Sequence, residues 1–226
     1  MRYGSKVILQ LSAHDTRFPE SVARLVNPPK QLDVLCTASL GQDFAWPPKR
    51  LAVIGSRNMS AYGKRVVWDF VPRLVAAGVA IVSGLAEGVD EEAQRVALSA
   101  DGVTIGVLGF GVMQLSTFSN QELGKQIVKS GKGFLVSPFE PYARASKWTF
   151  LERNRVIAGL AEVLLVVEAT QKSGCLSTVE AALELGKEVY VVPGSIFDYT
   201  SMGANDLIKQ GAQLVNGVDD LIALFA

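Results

Sequence analysis

The sequence predicts a doubly wound α/β fold, in which a mostly parallel sheet of about seven strands carries helices on both faces. Seven short apolar runs, rich in β-branched residues, recur from residue 51 onward with helix-like stretches between them. Each run is continuously apolar, which indicates a strand buried on both faces. Strands that alternate with helices in this way form a parallel sheet. The runs are 51–56, 79–84, 104–110, 133–139, 162–169, 188–194 and 213–217.

The helices between the runs have recognisable ends. Ser60 is predicted to cap a helix that Gly78 closes, because the apolar residues between them recur at helical spacing. Asp90 is predicted to cap the next helix, with Glu91 and Glu92 in its first turn. Further helices are expected at 119–130, 152–160, 176–186, 203–210 and 218–225.

Residues 1–50 are less regular, because prolines interrupt FPESVARLVNPPKQL and FAWPPKR. We expect them to form an arm packed on a sheet domain that comprises residues 51–226. The chain has 226 residues, 49% of them hydrophobic, which suits one domain with a small appendage. Its 22 basic and 22 acidic residues give zero net charge, so a nucleic-acid ligand would need a local basic patch.

The sequence offers no metal site and no membrane segment. Cys36 and Cys175 lie far apart and His14 is the single histidine, so no metal-ligand spacing is present. No apolar run approaches the roughly 18 residues of a membrane span. We therefore expect a soluble, cytoplasmic protein without a metal.

Two strand-to-helix loops have a composition that favours phosphate. Ligands of open α/β sheets bind beyond the carboxyl ends of the strands. The loops GSRNMSAYGKR and ATQKSGCLST combine basic residues with glycine and serine ahead of a helix, whereas SGLAEGVDEE between them carries four carboxylates. We expect the first and last of these loops to face an anion together. Their candidate residues are Gly55, Ser56, Arg57, Lys172, Ser173, Gly174 and Thr178.

A third basic element, Arg153-Asn154-Arg155, precedes the apolar run VIAGL. The two guanidinium groups either bind an external anion or pair with the chain's own glutamates, and on a helix they would diverge by about 200°. We expect both arginines to face solvent at the ligand-binding edge of the sheet. Nearby glutamates that could neutralise them instead are Glu140, Glu152 and Glu162.

Other phosphate and catalytic motifs are incomplete. There is no GxxxxGK[ST], and the GxGxxG pattern that begins at 109–111 fails at Gln114. The second strand ends in Ser83 where a dinucleotide-binding strand would end in an acid. His14 lies in the irregular arm, away from any strand end, which argues against a His-dependent triad. We expect no cofactor.

Six blocks resemble, in order and spacing, the DNA processing protein A (DprA/Smf) family, and the resemblance runs from about Phe18 to Asp220. The blocks are AVIGSRNMSAYG, IVSGLAEGVDEEAQRVAL, TIGVLGFGV, RNRVIAGLAEVLLVVEA, SGCLSTVEAALELGKEVYVVPG and GANDLIKQGAQLV. The chain departs from the family pattern at Ala93-Gln94, at Leu151-Glu152 and in STFSNQEL (116–123). It also looks like a short form, without the small helical domain and the winged helix that often flank the family's sheet domain.

The resemblance implies an extended Rossmann-like domain that binds single-stranded DNA and forms homodimers. It further implies transfer of the strand to the RecA recombinase during natural transformation, with no cofactor, no metal and no established catalytic activity. The residues that the resemblance assigns to strand binding are Arg57, Arg153, Arg155, Ser173, Gly174, Leu176 and Thr178.

Aromatic residues around the arginine pair offer either stacking platforms for bases or packing for the loop. Among Phe139, Tyr142, Trp148 and Phe150, we take Trp148 and Phe150 as the candidates for base stacking.

Two alternatives to strand binding remain open. One is a nucleotide-binding Rossmann-like enzyme or sensor related to the nucleoside-monophosphate phosphoribohydrolases, with Glu180 or Asp90 as the acid. GCLSTVE is similar to the GGxGTxxE loop of that group, although Glu180 follows Thr178 by two positions instead of three. The other alternative is a partner-binding module that has lost its DNA site.

Overall fold

The computed structural model describes residues 6–226 and contains one sheet of nine strands in the order β1-β2-β6-β5-β4-β3-β7-β8-β9. The seven predicted strands are present as β3 to β9 and are parallel to one another. The doubly wound α/β fold is therefore confirmed. The strands are β1 (Lys6–Ser12), β2 (Gln31–Thr37), β3 (Arg50–Ile54), β4 (Ala80–Ser83), β5 (Thr104–Val107), β6 (Phe134–Ser137), β7 (Val163–Val166), β8 (Val189–Val191) and β9 (Gln213–Leu214).

Nine α-helices connect these strands within the described part of the chain. Helices α3, α4 and α9 cover one face of the sheet, and α1, α6 and α7 cover the other. The helices are α1 (Glu20–Ala23), α2 (Ala38–Gln42), α3 (Ala61–Ala76), α4 (Val89–Ser99), α5 (Gln121–Lys129), α6 (Lys147–Leu160), α7 (Leu176–Glu184), α8 (Met202–Lys209) and α9 (Val218–Ile222).

The path of the chain places a switch point between β3 and β7. From β3 the chain moves outward through β4, β5 and β6, and then returns to β7 on the other side of β3. The loops after β3 and β7 consequently leave the sheet toward opposite faces and open a crevice at its carboxyl edge, where ligands of such sheets bind.

The first 50 residues are more regular than we expected. Strand β1 pairs antiparallel with β2, and β2 pairs antiparallel with β6, so both belong to the same sheet as β3 to β9. The local sequence pattern did not indicate these strands, because the prolines that suggested irregular structure lie between them, at 19, 28 and 29, and after them, at 47 and 48. These two strands account for the difference between about seven predicted strands and nine observed ones.

Strand β2 carries a buried carboxyl group that is only partly paired. Asp33 is fully buried opposite Ser137 of β6; its Oδ1 accepts a hydrogen bond from Gln31, and its Oδ2 has no partner. Burial raises the pKa of Asp33, and the negative charge of Glu140 adds to this effect. The carboxyl group of Asp33 therefore binds its proton more tightly in the native state than in the unfolded chain.

We expect Asp33→Asn to stabilise the protein at neutral pH. Because the pKa of Asp33 is raised in the native state, the contribution of its protonated carboxyl group to stability is complete below the ordinary aspartate pKa of about 4. This contribution is lost as the pH rises through the native pKa of Asp33. Removal of the charge should raise Tm at pH 7 by about 2–4 °C, which corresponds to about 1 kcal/mol in a chain of this size. Thermal melts of both proteins between pH 3.5 and 8 test this, and a Tm difference that does not depend on pH would contradict it.

Candidate nucleic-acid interface

A pocket of about 850 Å³ opens at the switch point, at the carboxyl edge of the sheet. The loop after β3, the loop after β7 and the first half of α6 form its walls. Ten of the residues proposed from the sequence as binding or stacking residues line it: Gly55, Ser56, Arg57, Phe150, Arg153, Asn154, Lys172, Ser173, Gly174 and Thr178. The two basic loops therefore meet at one site, as we expected from their composition.

Helix α6 begins earlier than predicted, and this changes the geometry of the arginine pair. Ser146 caps the helix: its Oγ accepts a hydrogen bond from the Thr149 N–H (3.2 Å), and its own N–H donates to Thr149 Oγ1 (2.9 Å). Arg153 and Arg155 consequently lie in the helix interior. Two positions on a helix differ by about 200°, so their side chains point to opposite sides.

Arg153 points into the sheet edge and is almost completely buried. Its Nη1 donates hydrogen bonds to the carbonyl groups of Gly84 and Val107, which follow β4 and end β5, and the Val107 bond is 2.8 Å long. Its guanidinium carbon lies 5.6 Å from the centroid of the Phe150 ring. Burial lowers the pKa of Arg153 to about 10, so the group is cationic at neutral pH. Arg153 therefore ties α6 to the ends of two strands.

A buried carboxylate compensates this charge. Asp90 accepts a hydrogen bond from the Gly84 N–H (3.0 Å) and lines the pocket beside Arg153. Burial raises the pKa of Asp90, while the positive charge of Arg153 acts in the opposite direction. Both side chains lie against Gly84, where a Cβ atom would meet the Arg153 guanidinium and come within 2.8 Å of Asp90 Oδ2. The predicted capping role of Asp90 is wrong, since Gly88 is the N-cap of α4.

Arg155 does not reach the pocket. Its Nη2 donates to the carbonyl of Val26 (2.9 Å) and lies 3.4 Å from Glu184 Oε2, on the face of α6 that packs toward α1 and α7. The expectation that both guanidinium groups face solvent at the ligand edge is thus not met by either arginine. Two further candidates, Trp148 and Leu176, also lie outside the pocket lining, although Trp148 is 63% exposed.

Asn154, between the two arginines, joins α6 to the loop after β7. Its Nδ2 donates to Ser177 Oγ (2.8 Å) and to the Gly174 carbonyl (3.3 Å). These bonds hold the glycine-serine segment at the start of α7 against the pocket wall. Asn154 therefore positions the loop that carries Lys172 and Ser173.

Glu168, which was not among the predicted site residues, holds the loop after β3 in place. Its carboxylate accepts hydrogen bonds from the Ser60 N–H (2.9 Å) and the Ser60 hydroxyl, at the N-terminus of α3. Its backbone carbonyl also accepts the Ser56 N–H (2.8 Å). The Ser56 N–H, which we expected to bind an external phosphate, is thus already used by the Glu168 carbonyl, and the Ser60 donors are used by its carboxylate. The available signal was an acid directly after a buried strand, beside a loop without acids.

The free positive charge of the site lies at its rim. Among the residues that the structure describes, the side chains of Arg57, Lys147 and Lys172 line the pocket, are exposed and have no hydrogen-bond or ion-pair partner. Lys147 was not among the proposed site residues. Within residues 6–226, Asp90 is the only carboxylate in the pocket lining, and it lies on the floor beside Arg153. The mouth of the pocket is therefore cationic, and the floor holds an internally compensated pair.

Two residues of the enzyme hypothesis are separated by the fold. Glu180 is exposed on α7 and does not line the pocket, whereas Asp90 does. Across residues 6–226, no three His, Cys, Asp or Glu side chains are grouped so that they could hold a metal ion. Over the same range, no helix is both long and apolar enough to cross a membrane.

The strand order and the pocket at its switch point define a Rossmann-like protein whose site fits an anionic ligand. Residues 10–226 match the family described as DNA recombination-mediator protein A, and the chain belongs to this family. It is 39% identical over 173 residues to the DNA processing protein DprA of Bacillus subtilis (strain 168), which covers 76% of this chain and 58% of that protein. The chain spans about half the length of the curated relatives it matches.

Two solved structures are similar over nearly the whole chain. DprA from Streptococcus pneumoniae superimposes with a TM-score of 0.83 at 34% identity, covering 96% of this chain and 74% of that one. DNA processing protein A from Helicobacter pylori gives a TM-score of 0.82 at 27% identity, covering 99% and 96%, and its structure is described in terms of a single-stranded DNA binding mode. The family that the sequence blocks resemble is thereby confirmed.

Proposed function

We propose that this chain binds single-stranded DNA at the switch-point pocket and does not itself catalyse a reaction. The observation that carries the proposal is the cationic rim of Arg57, Lys147 and Lys172, which has no internal counter-charge among the described residues. Phosphate contacts supply most of the affinity of single-strand binders, and cations without internal partners can make them without first breaking an ion pair. The single-strand binding of the Helicobacter pylori relative supports this proposal.

Different residues of the pocket would contact the phosphates and the bases of the DNA strand. The rim cations would contact phosphates, while Phe150, which lines the wall, would contact a base with the part of its ring that Arg153 leaves uncovered. Arg153 is buried and hydrogen-bonded to the ends of two strands. It therefore supports the pocket wall beside Phe150 and is not a free phosphate ligand. With zero net charge, the protein would depend on these local contacts rather than on a long-range field.

The wider role that we propose is delivery of the bound strand to a RecA-type recombinase, in the cytoplasm, during recombination and natural transformation. The family description as a recombination mediator supports this role. A homodimer would place two pockets on one strand, and the linked sites would raise the effective affinity.

We expect the double variant Arg57→Ala, Lys172→Ala to bind oligo(dT) at least tenfold more weakly than the wild type. Each lost phosphate contact should also reduce the slope of log affinity against log salt by about 0.7, because fewer counterions are released. Fluorescence anisotropy with labelled oligo(dT) at several salt concentrations measures both quantities.

Arg73→Ala is the matched control, since Arg73 lies at the opposite end of α3 and pairs with Asp219 (2.6 Å). It should leave both affinity and slope unchanged. Equal losses in the control and the rim variant, or no binding by the wild type, would contradict strand binding at this pocket.

A nucleotide-binding enzyme or sensor is the second candidate, because the pocket floor holds Asp90, a buried carboxyl group with a raised pKa. A carboxyl group with a raised pKa at a ligand pocket is a candidate general acid. If this candidate is correct, nucleoside monophosphates should raise Tm while oligo(dT) has no effect. If strand binding is correct, the oligonucleotide should give the larger shift.

A further inference from the structure

The segment 194–202, between β8 and α8, exposes an unusual amount of apolar surface. We call it the apolar loop. Ile196, Phe197 and Tyr199 are 74%, 90% and 63% exposed, and Phe197 has the largest exposed fraction among the large hydrophobic residues that the structure describes as exposed. Single exposed apolar residues are common, but three within four positions form a patch that fits a ligand or partner.

Hydrogen bonds hold this loop in place at its base. The Gly194 N–H donates to Asn205 Oδ1 (3.2 Å), and Asn205 Nδ2 donates back to the Gly194 carbonyl (3.0 Å). Tyr62 of α3 donates its hydroxyl to the Pro193 carbonyl (2.8 Å). The exposed side chains therefore project from an anchored turn, so little ordering would be needed on binding.

The apolar loop is continuous with the switch-point pocket. Tyr199 and Thr200 line the pocket themselves, together with Arg57 and Lys172. The same opening thus presents unpaired cations and the exposed ring of Tyr199, and the exposed ring of Phe197 lies two positions away in the same loop. A ligand that matches both must carry negative charges and flat apolar faces along one chain.

We propose that the apolar loop is a base-stacking surface, on which bases of single-stranded DNA emerging from the pocket stack against Tyr199 and Phe197. This inference rests on the proposed function and extends its site beyond the pocket. A polynucleotide fits this combination better than a second copy of this chain or another protein does. A protein surface would have to supply acidic partners for the rim cations, whereas a polynucleotide carries phosphates and bases together. Stacking on aromatic side chains is tolerant of sequence, since every base has a π-face.

The double variant Phe197→Ala, Tyr199→Ala tests the inference. We expect its affinity for oligo(dT) to fall by about 30-fold or more, because two stacking contacts are lost. The salt slope should stay at the wild-type value, because no phosphate contact is removed. Tm should not change, since both rings are largely exposed.

Leu224→Ala is the control. Leu224 is exposed and follows α9, and α9 packs near the far end of α3.

An abasic oligonucleotide of the same length supplies the second measurement. Wild type and double variant should bind it equally, because it offers phosphates without bases. If the wild type binds oligo(dT) and the double variant binds equally well, the apolar loop is not a base-stacking surface, although the pocket proposal survives. If the variant changes only from dimer to monomer in sedimentation, with strand affinity unchanged, the loop is an interface between copies. If the wild type binds neither oligonucleotide, the proposed function itself fails.

Discussion

Replacement of Arg153 by alanine is expected to lower the free energy of unfolding by about 3–5 kcal/mol. The truncation leaves the buried Asp90 carboxylate without its compensating charge and removes the donors that pair with the Gly84 and Val107 carbonyls. Buried carbonyl groups without partners are costly, and an uncompensated buried charge is more so. Urea denaturation at pH 7 measures the loss. Any loss of strand binding by this variant would follow largely from the damaged pocket wall.

Two further variants isolate the electrostatic part of this effect. Adding Asp90→Asn to Arg153→Ala should recover about 1–3 kcal/mol, because the buried negative charge is removed with its partner. Arg155→Ala is the matched arginine control and should cost only about 1 kcal/mol or less, since its contact with Glu184 is long and partly exposed. If Arg153→Ala unfolds at the wild-type urea concentration and loses only DNA affinity, Arg153 is a ligand contact and the structural role is wrong.

The second large effect is expected from Gly88→Ala, at about 3 kcal/mol or more. Gly88 has φ 86° and ψ −128°, which side-chain-bearing residues rarely adopt. A Cβ atom there would also meet the backbone carbonyls of Ser56 and Arg57, the latter at 2.5 Å. Since backbone cannot move aside like a side chain, the β3 loop must shift. The variant should therefore lose stability in a thermal melt and also lose affinity for oligo(dT).

Gly78→Ala separates backbone strain from the steric part of this prediction. Gly78 also has a positive φ (78°), but nothing lies within 4 Å of a Cβ atom at that position. The substitution should cost about 1–2 kcal/mol through strain alone and leave DNA binding intact. Similar losses in both variants would mean that close packing between Gly88 and the β3 loop is unimportant.

The arginine pair illustrates how far composition can be trusted. Of the two basic residues of RNR, only Arg153 lines the pocket, and neither is free. Arg153 hydrogen-bonds to the strand ends and compensates Asp90, while Arg155 contributes to the packing of α6 against its neighbours. Free charge lies instead on Arg57, Lys147 and Lys172, which have exposed positions on loops or at a helix start. Whether an arginine is free depends on which carbonyls and carboxylates the fold brings to it.

The sequence by itself determined the parallel sheet, because continuous β-branched runs bury both faces of a strand wherever they occur. It also placed the loops after β3 and β7 at one edge of the sheet, because carboxyl ends of parallel strands share one edge. The strand order, which makes β3 and β7 neighbours, came from the tertiary structure. The strands β1 and β2 could not be read from local pattern, since their pairing with β6 is a long-range contact. Likewise, only the tertiary structure decided that Glu168 accepts a hydrogen bond at the N-terminus of α3 and that Asp90 lies beside Arg153. Ser60 and Glu168 lie 108 positions apart in the chain, and Asp90 and Arg153 lie 63 positions apart. Each pair forms only after the strands are in register: Glu168 then accepts hydrogen bonds from Ser60, and Asp90 compensates the charge of Arg153. Among the described residues of the site, the rim cations remain as the free charge.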